Sequence, residues 1–342
     1  MSRRRNFSPW AYWSLHLQST VVDDPFPEGA DRAAFDAWRE RVRMRLAELL
    51  GPAPTAVAAD LETTEVVDCG DHTRARIVYD TEPAMSVPAY LLVPKERVGA
   101  APGPAVLAIH GHGPGKSLVC GVVDGPDPGV AEDYARSLAR LGYVVLAPDL
   151  RCFGERQDPQ WDPAGHKYDC DWNLVAATMA GVNPLAQNLW DLQRSLDVLA
   201  DHPLVASDRI GAVGLSYGAT MALFLAAADT RVRAAVVSGY LSSWASAHAV
   251  PWNMCGSQVM FGQLGRIEHA DLAALIAPRA LSVESGVDDP IFPVAAARTT
   301  MTLLAPVWAT VGAASDALRH TVFDGGHRWD GRDVEDFLAA HL

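Results

Sequence analysis

Short, unbroken apolar runs separated by helix-length segments constrain this chain more than any other feature. "AVLAIHG" (105–111) and "YVVLAPDL" (143–150) are runs of this kind. A strand that is apolar on both faces must be covered on both sides, which is the condition of a parallel sheet wrapped in helices. The alternation is sustained. "VAEDYARSLARLG" reads as a helix between those two runs, and Leu185, Leu189, Leu192, Leu196 and Leu199 recur at helical spacing after them. Then come "IGAVGLS" as strand, "GATMALFLAAA" as helix, "VRAAVVSGY", "RALSVESGVDD" and "HTVFDGGH" as strands, and "DVEDFLAAHL" as a closing helix. Three earlier strands, "TTEVVD", "RARIVYD" and "VPAYLLVP", precede the alternating part. The expectation is an α/β fold, a mostly parallel central sheet with helices on both faces. In such sheets functional groups gather at the carboxyl ends of the strands.

Two regions stand outside the alternation. In "DRAAFDAWRERVRMRLAELLG", Phe35, Trp38, Val42, Leu46 and Leu49 fall on one helical face, with Asp31 as N-cap and Gly51 as C-terminal stop. Residues 1–58 are therefore expected to form a helical extension packed on the main domain, 59–342, with Trp10, Trp13 and Trp38 as its anchors. The stretch 152–184 breaks the pattern with Pro, Gly, Asp and Trp. It is expected to be a short cap inserted over one end of the sheet. Trp161, Trp172, Trp244 and Trp252 fall in irregular segments near that end. They suit an aromatic wall for a ligand and the small core of a cap equally well.

Composition removes several function classes. With 342 residues, 49% of them hydrophobic, the chain can bury a large core. Its net charge of −13 argues against nucleic acid or an anionic membrane as partner, since both demand a basic face. The five cysteines are odd in number and form no C-x-x-C pair, which suits reduced thiols and a cytoplasmic setting. Arg4-Arg5-Asn6-Phe7 has the look of a twin-arginine export signal. Pro9, Ser14, His16 and Gln18 interrupt the apolar stretch that should follow, so an ordinary soluble N-terminus is expected. No segment reaches the roughly 18 apolar residues of a membrane span.

Chemistry enters at Gly214-Leu215-Ser216-Tyr217-Gly218, between an apolar strand and a helix. A string of the form G-x-S-x-G arises by accident in roughly one such chain in ten, so its context decides. A serine on a sharp strand-to-helix turn stands clear of the sheet. Its hydroxyl is a poor nucleophile unless a base takes its proton and an acid orients the base. Both are offered in the order serine, aspartate, histidine: Gly286-Val287-Asp288-Asp289-Pro290 after one strand, and Gly325-Gly326-His327 after the last. Asp288 and Asp289 are adjacent, so only one of them can face His327. The glycine-rich loop His110–Lys116, "HGHGPGK", follows the strand at 105–109 and can turn backbone amides inward. The His112 and Tyr217 N–H groups are the expected oxyanion donors.

"HGHGPGK", "DLRCFGER", "GLSYG", "ADLAALIAPRALSVESGVDDPIFP" and "FDGGHRW" together resemble the α/β-hydrolase superfamily, in its dienelactone-hydrolase-like and acetyl-xylan-esterase-like branch. The resemblance covers roughly residues 60–342. It implies Ser216 as nucleophile, Asp289 as acid ahead of Asp288, His327 as base, and the His112 and Tyr217 amides as oxyanion hole. Dienelactone hydrolases themselves carry a cysteine nucleophile; Ser216 stands there in this chain, so their lactone chemistry does not carry over. The implied reaction is hydrolysis of a small-molecule carboxylic ester, of short acyl chain, through an acyl-enzyme and without cofactor. Hydrolysis of a C–C bond in a 1,3-diketone-like substrate, or of an amide or peptide, could use the same groups. A hydrolase-fold binding module is the non-enzymatic alternative. The resemblance also suggests a homodimer, with the N-terminal helices as contacts.

The remaining motif residues have plainer readings. His110 and His112 could pair on a metal, but no third ligand stands at recognisable spacing, so no metal is expected and His110 is read as a brace for its loop. Arg156 in "FGER" is read as an ion pair at the base of the insertion rather than as a substrate clamp. Cys255 is read as a buried small hydrophobe.

Overall fold

The computed structural model describes residues 5–27, 29–123, 132–158, 169–249 and 253–342. Among them, nine strands form one sheet in the order β1-β2-β3-β5-β4-β6-β7-β8-β9. β1 (Glu62–Asp68), β2 (His72–Glu82) and β3 (Met85–Pro94) are antiparallel neighbours, and β3 pairs antiparallel with β5 (Val144–Pro148). From β5 onward, β4 (Gly103–Ile109), β6 (Val205–Leu215), β7 (Val232–Ser238), β8 (Ala280–Gly286) and β9 (Leu318–Phe323) run parallel. All five residues of β5 are buried, as an unbroken apolar run requires, and all seven of β8 are buried although Ser282, Glu284 and Ser285 are polar. At the edge, six of β1's seven residues are exposed, and five of the seven are polar.

The helices follow the sequence pattern closely in the parallel half. α6 (Pro184–Ala200) buries all five periodic leucines, and its Asn183 cap accepts from the Leu185 N–H at 3.1 Å. α7 (Tyr217–Ala228) is buried along its whole length to Ala227, because it lies between the sheet and other helices. That is why "GATMALFLAAA" has no polar face. α11 (Val334–His341) closes the chain against β7 and β8. α4 (Tyr134–Arg140) occupies the core of the helix read at 130–142. α10 (Val294–Thr310), α8 (Trp244–Ala247), α9 (His269–Ala274) and α3 (Lys116–Val119) lie in segments for which periodicity gave no helix.

The N-terminal region is half as expected. α2 (Arg32–Leu50) is capped by Asp31, whose side chain accepts from the Ala34 N–H at 2.8 Å, and it buries Phe35, Trp38, Val42, Leu46 and Leu49. α1 (Pro9–Ser19) buries no residue. Trp38 anchors as expected, donating from Nε1 to the Asp24 carbonyl at 3.1 Å, but Trp10 and Trp13 are 41% and 54% exposed. The side of α1 that meets the body carries the small residues Ala11 and Ser14 with Leu17, which turns both tryptophans to solvent. The insertion is also more regular than its composition suggests. Its described second half is α5 (Asp169–Ala180), where propensity is overridden by packing against the turn Gly256–Gln258 and α6. Trp161 and Trp252 lie outside the described residues. Trp244 is core, 2% exposed and bonded from Nε1 to the Ile267 carbonyl at 2.6 Å, whereas Trp172 is 60% exposed. No helix among the described residues is long and apolar enough to cross a membrane.

Candidate active site

Registers in the parallel half bring the site together. Ile109 lies opposite Gly214, Leu215 opposite Ser238, and Gly286 opposite Phe323. The loops that follow β4, β6, β8 and β9 therefore all open at one end of the sheet. Ser216 is the single residue between β6 and α7, with φ 60° and ψ −119°. A non-glycine residue held there costs on the order of 1–3 kcal/mol, a strain that persists only where surroundings enforce it. The flanking glycines show how. A Cβ on Gly214 would stand 2.3 Å from the Gly218 carbonyl carbon, and one on Gly218 would stand 2.0 Å from the Ile109 carbonyl oxygen. Strand, turn and helix can pack this closely only with hydrogen at both positions.

Asp289 is fixed from two sides. Its Oδ1 accepts from the Ile291 and Phe292 N–H groups at 2.8 and 3.0 Å, and its Oδ2 lies 2.8 Å from His327 Nδ1. Asp289 is 6% exposed. Asp288 is exposed, and its N–H is spent on the Gly325 carbonyl at 2.9 Å, so the side chain facing His327 is that of Asp289. An ionised carboxylate only accepts, so the proton sits on Nδ1 and Nε2 presents a lone pair. That Nε2 is buried and has no hydrogen-bond partner among the described residues. Ser216 and His327 line one cleft of about 890 Å³, with Gly111, His112, Phe153, Cys170, Met254, Cys255 and Ile291 among its other walls.

The expected oxyanion donors are placed as follows. Tyr217 is the first residue of α7, so its N–H belongs to the helix's unsatisfied first turn. Its own side chain is fully buried and accepts from Asn188 Nδ2 at 3.0 Å; burial pushes its phenol well above the usual range. His112 lines the cleft, its ring 5.2 Å from those of both Phe153 and Tyr217. His110 braces the loop: Nδ1 donates to the Gly111 carbonyl at 2.7 Å and Nε2 accepts from the Leu150 N–H at 2.9 Å. Burial lowers its pKa, which keeps the ring neutral for both bonds.

Behind the cleft lies a set of paired charges. Lys116 Nζ is 2.5 Å from both Asp149 Oδ2 and Glu155 Oε1, and Glu155 also takes Arg76. Arg156 reaches Asp191 at 2.9 Å and the Asp149 carbonyl at 3.0 Å; it is the ion pair expected at the base of the insertion, not a group facing substrate. Arg151 joins Asp191 at 2.8 Å and also meets Glu82. Burial raises the Asp191 carboxyl, but Arg156 and Arg151 outweigh it and hold the group below the ordinary carboxylate value. Partners so far apart in the chain gave no sequence signal. The same is true of Cys170, whose thiol meets Cys255 and His112: the three offer ligand atoms within 4.8 Å of one another, a grouping invisible to spacing.

A mostly parallel sheet with a strained serine between β6 and α7, and an Asp–His pair from later loops, is the arrangement of the α/β-hydrolase fold. Residues 88–248 match the Dienelactone hydrolase family, and residues 192–306 match the BAAT / Acyl-CoA thioester hydrolase C terminal family. The fold is that of the α/β-hydrolases. It is 29% identical to "Putative hydrolase YtaP" of Bacillus subtilis over 298 residues, 84% of this chain and 94% of that one. A structure described as a "putative acetyl xylan esterase" from Bacteroides fragilis superposes with TM-score 0.77 at 19% identity, over 95% of this chain and 84% of that chain. The glucuronoyl esterase from Solibacter usitatus superposes with TM-score 0.67 at 17% identity, over 94% of this chain and 95% of that chain.

Proposed function

We propose that this protein hydrolyses a carboxylic ester of short acyl chain, with Ser216 as nucleophile, His327 as base and Asp289 as the acid that orients it. One observation carries the reading: the buried Nε2 of His327 has no partner among the described residues, in the cleft that Ser216 lines, while Nδ1 is held by Asp289. His327 takes the Ser216 proton as the hydroxyl oxygen attacks the ester carbonyl. The His112 and Tyr217 amides stabilise the oxyanion that forms, each worth roughly 2.7–4 kcal/mol. The alcohol leaves with the proton from His327, and a water then repeats the sequence on the acyl-enzyme. His327 takes the Ser216 proton only while its ring is neutral. The solved esterases of the same fold support an ester substrate, three of them named for acetyl xylan. The five unbridged cysteines support a reducing, cytoplasmic setting, and the exposed Tyr12, Trp13 and Leu15 of α1 support a homodimer.

Release of p-nitrophenol from acetate, butyrate and octanoate esters, with wild type beside Ser216→Ala, tests the reading. The expected result is fastest turnover of acetate by wild type and background rates for the variant. A folded wild type that cleaves none of the three would move C–C or amide hydrolysis, or binding alone, ahead of ester hydrolysis.

A further inference from the structure

We propose that His112, Cys170 and Cys255 form a binding site for a thiophilic divalent cation, Zn2+ being the probe of choice, in the wall of the cleft. Their ligand atoms lie within 4.8 Å of one another. A tetrahedral zinc with bonds of about 2.0–2.3 Å holds its ligands about 3.5–3.8 Å apart, so side-chain rotation of less than about 1 Å closes the site. Two thiolates and an imidazole select a soft or borderline cation against magnesium or calcium. Three protein ligands leave a fourth position for water.

The site is held by three segments far apart in the chain. Cys170 lies in the first turn of α5, whose Asp171 Oδ1 accepts from the Gly256 N–H at 3.4 Å. Leu174, one turn further on, packs so tightly that a Cβ on Gly256 would stand 2.4 Å from its Cδ2. Cys255 is buried, its N–H is bonded to Gln258 Oε1 at 3.1 Å, and Gln258 is tied in turn to Thr220 of α7 at 2.9 Å. His112 is exposed on the cleft side, which gives a cation its way in. Neither thiol is bridged. The hydrogen bond between them lowers the Cys170 thiol and raises that of Cys255, and His112 adds to the lowering at Cys170. A bound cation would tie the insertion, the loop after β4 and the turn at Gly256–Gln258 into one wall.

Titration of the full, reduced chain with Co2+ under inert gas tests this without reference to ester hydrolysis. The expected result is one Co2+ per chain with intense thiolate-to-cobalt absorption, bleached by one equivalent of Zn2+. Cys170→Ser and Cys255→Ser should each weaken binding at least tenfold, while Ser216→Ala should leave the spectrum unchanged whether or not the hydrolase reading holds. Should either cysteine variant fail to fold, peptide mapping after alkylation of wild type reads the same point. Equimolar Zn2+ should protect Cys170 and Cys255 and leave Cys69 reactive. No thiolate–cobalt band in reduced wild type, a band surviving in both cysteine variants, or alkylation of both thiols unaffected by Zn2+ would overturn the proposal. So would loss of the two thiols to a disulfide under peroxide in a protein that takes up no metal when reduced.

Discussion

The two polar regions at this end of the sheet differ in how their charges are met, and each keeps a buried nitrogen without a partner among the described residues, Arg156 Nε in one and His327 Nε2 in the other. Around Asp149 and Asp191, carboxylates and cations meet one another: Lys116 has two carboxylates, and Asp191 accepts from Arg151, Arg156 and, at 2.6 Å, from Thr81. Around Ser216, Asp289 is equally well satisfied, but His327 ends in a buried nitrogen without a partner. The paired region fixes the loops that frame the cleft. The unpaired nitrogen of His327 is where substrate chemistry can begin.

Substitutions should therefore separate the two regions cleanly. Asp289→Asn keeps the shape of the acid but removes the acceptor that selects the Nδ1–H tautomer. By analogy with the same change in other Ser-His-Asp hydrolases, kcat for p-nitrophenyl acetate should fall by about 10⁴. The melting temperature should move little by comparison. A kcat within tenfold of wild type would put the orienting role elsewhere.

Asp191→Ala should show the reverse balance. Removing one partner of a buried ion pair strands the others, at a cost of roughly 3–5 kcal/mol. Urea unfolding should register that loss, while kcat of the folded fraction falls far less than in Asp289→Asn. A variant as stable as wild type but inactive would move Asp191 from framework to chemistry.

The smallest effect concerns Glu268, which caps α9 and accepts from the Trp244 and His269 N–H groups at 3.0 and 2.8 Å. Burial pushes its carboxyl up to about 7. A folded-state value raised above the ordinary 4.5 means a stabilising contribution present below pH 4.5 and lost as pH rises to about 7. Neighbouring Asp271, raised to about 6 by burial, adds the same sign; His269, lowered to about 3 by burial, loses stability as pH falls below 6.5. Glu268→Gln keeps an acceptor and removes only the first of these terms. Its melting temperature relative to wild type should therefore climb between pH 4.5 and pH 8. A difference flat across that range would show that the Glu268 carboxyl is not raised above its ordinary value in the folded protein.

How legible each part was in the sequence depended on whether the determining contacts are local. Strands buried on both faces write apolar runs, which place β4 to β7 and the Ser216 turn, while the Gly-Asp and Gly-His stops after β8 and β9 mark the loops carrying Asp289 and His327. Choosing between Asp288 and Asp289 needed more than spacing, because both follow β8. The two amides that hold Asp289 Oδ1 come from its own turn, at Ile291 and Phe292, and appear only in the fold. α5 was unreadable because its helix is set by packing on Gly256 and α6, not by a polar–apolar stripe. Trp10 and Trp13 misled for a related reason: aromatic size suggests anchoring, but the body meets α1 through its small residues. The meeting of His112 with Cys170 and Cys255 joins three distant segments and leaves no periodic trace.

The most direct test of the central claim is covalent. Wild type, Ser216→Ala and Asp289→Asn would be incubated with a fluorophosphonate, which reacts with an activated serine hydroxyl, and the adduct mapped by peptide mass. The account predicts one adduct per chain, on Ser216, absent in Ser216→Ala and formed far more slowly in Asp289→Asn. An unlabelled but folded wild type, or an adduct on any residue other than Ser216, would contradict it.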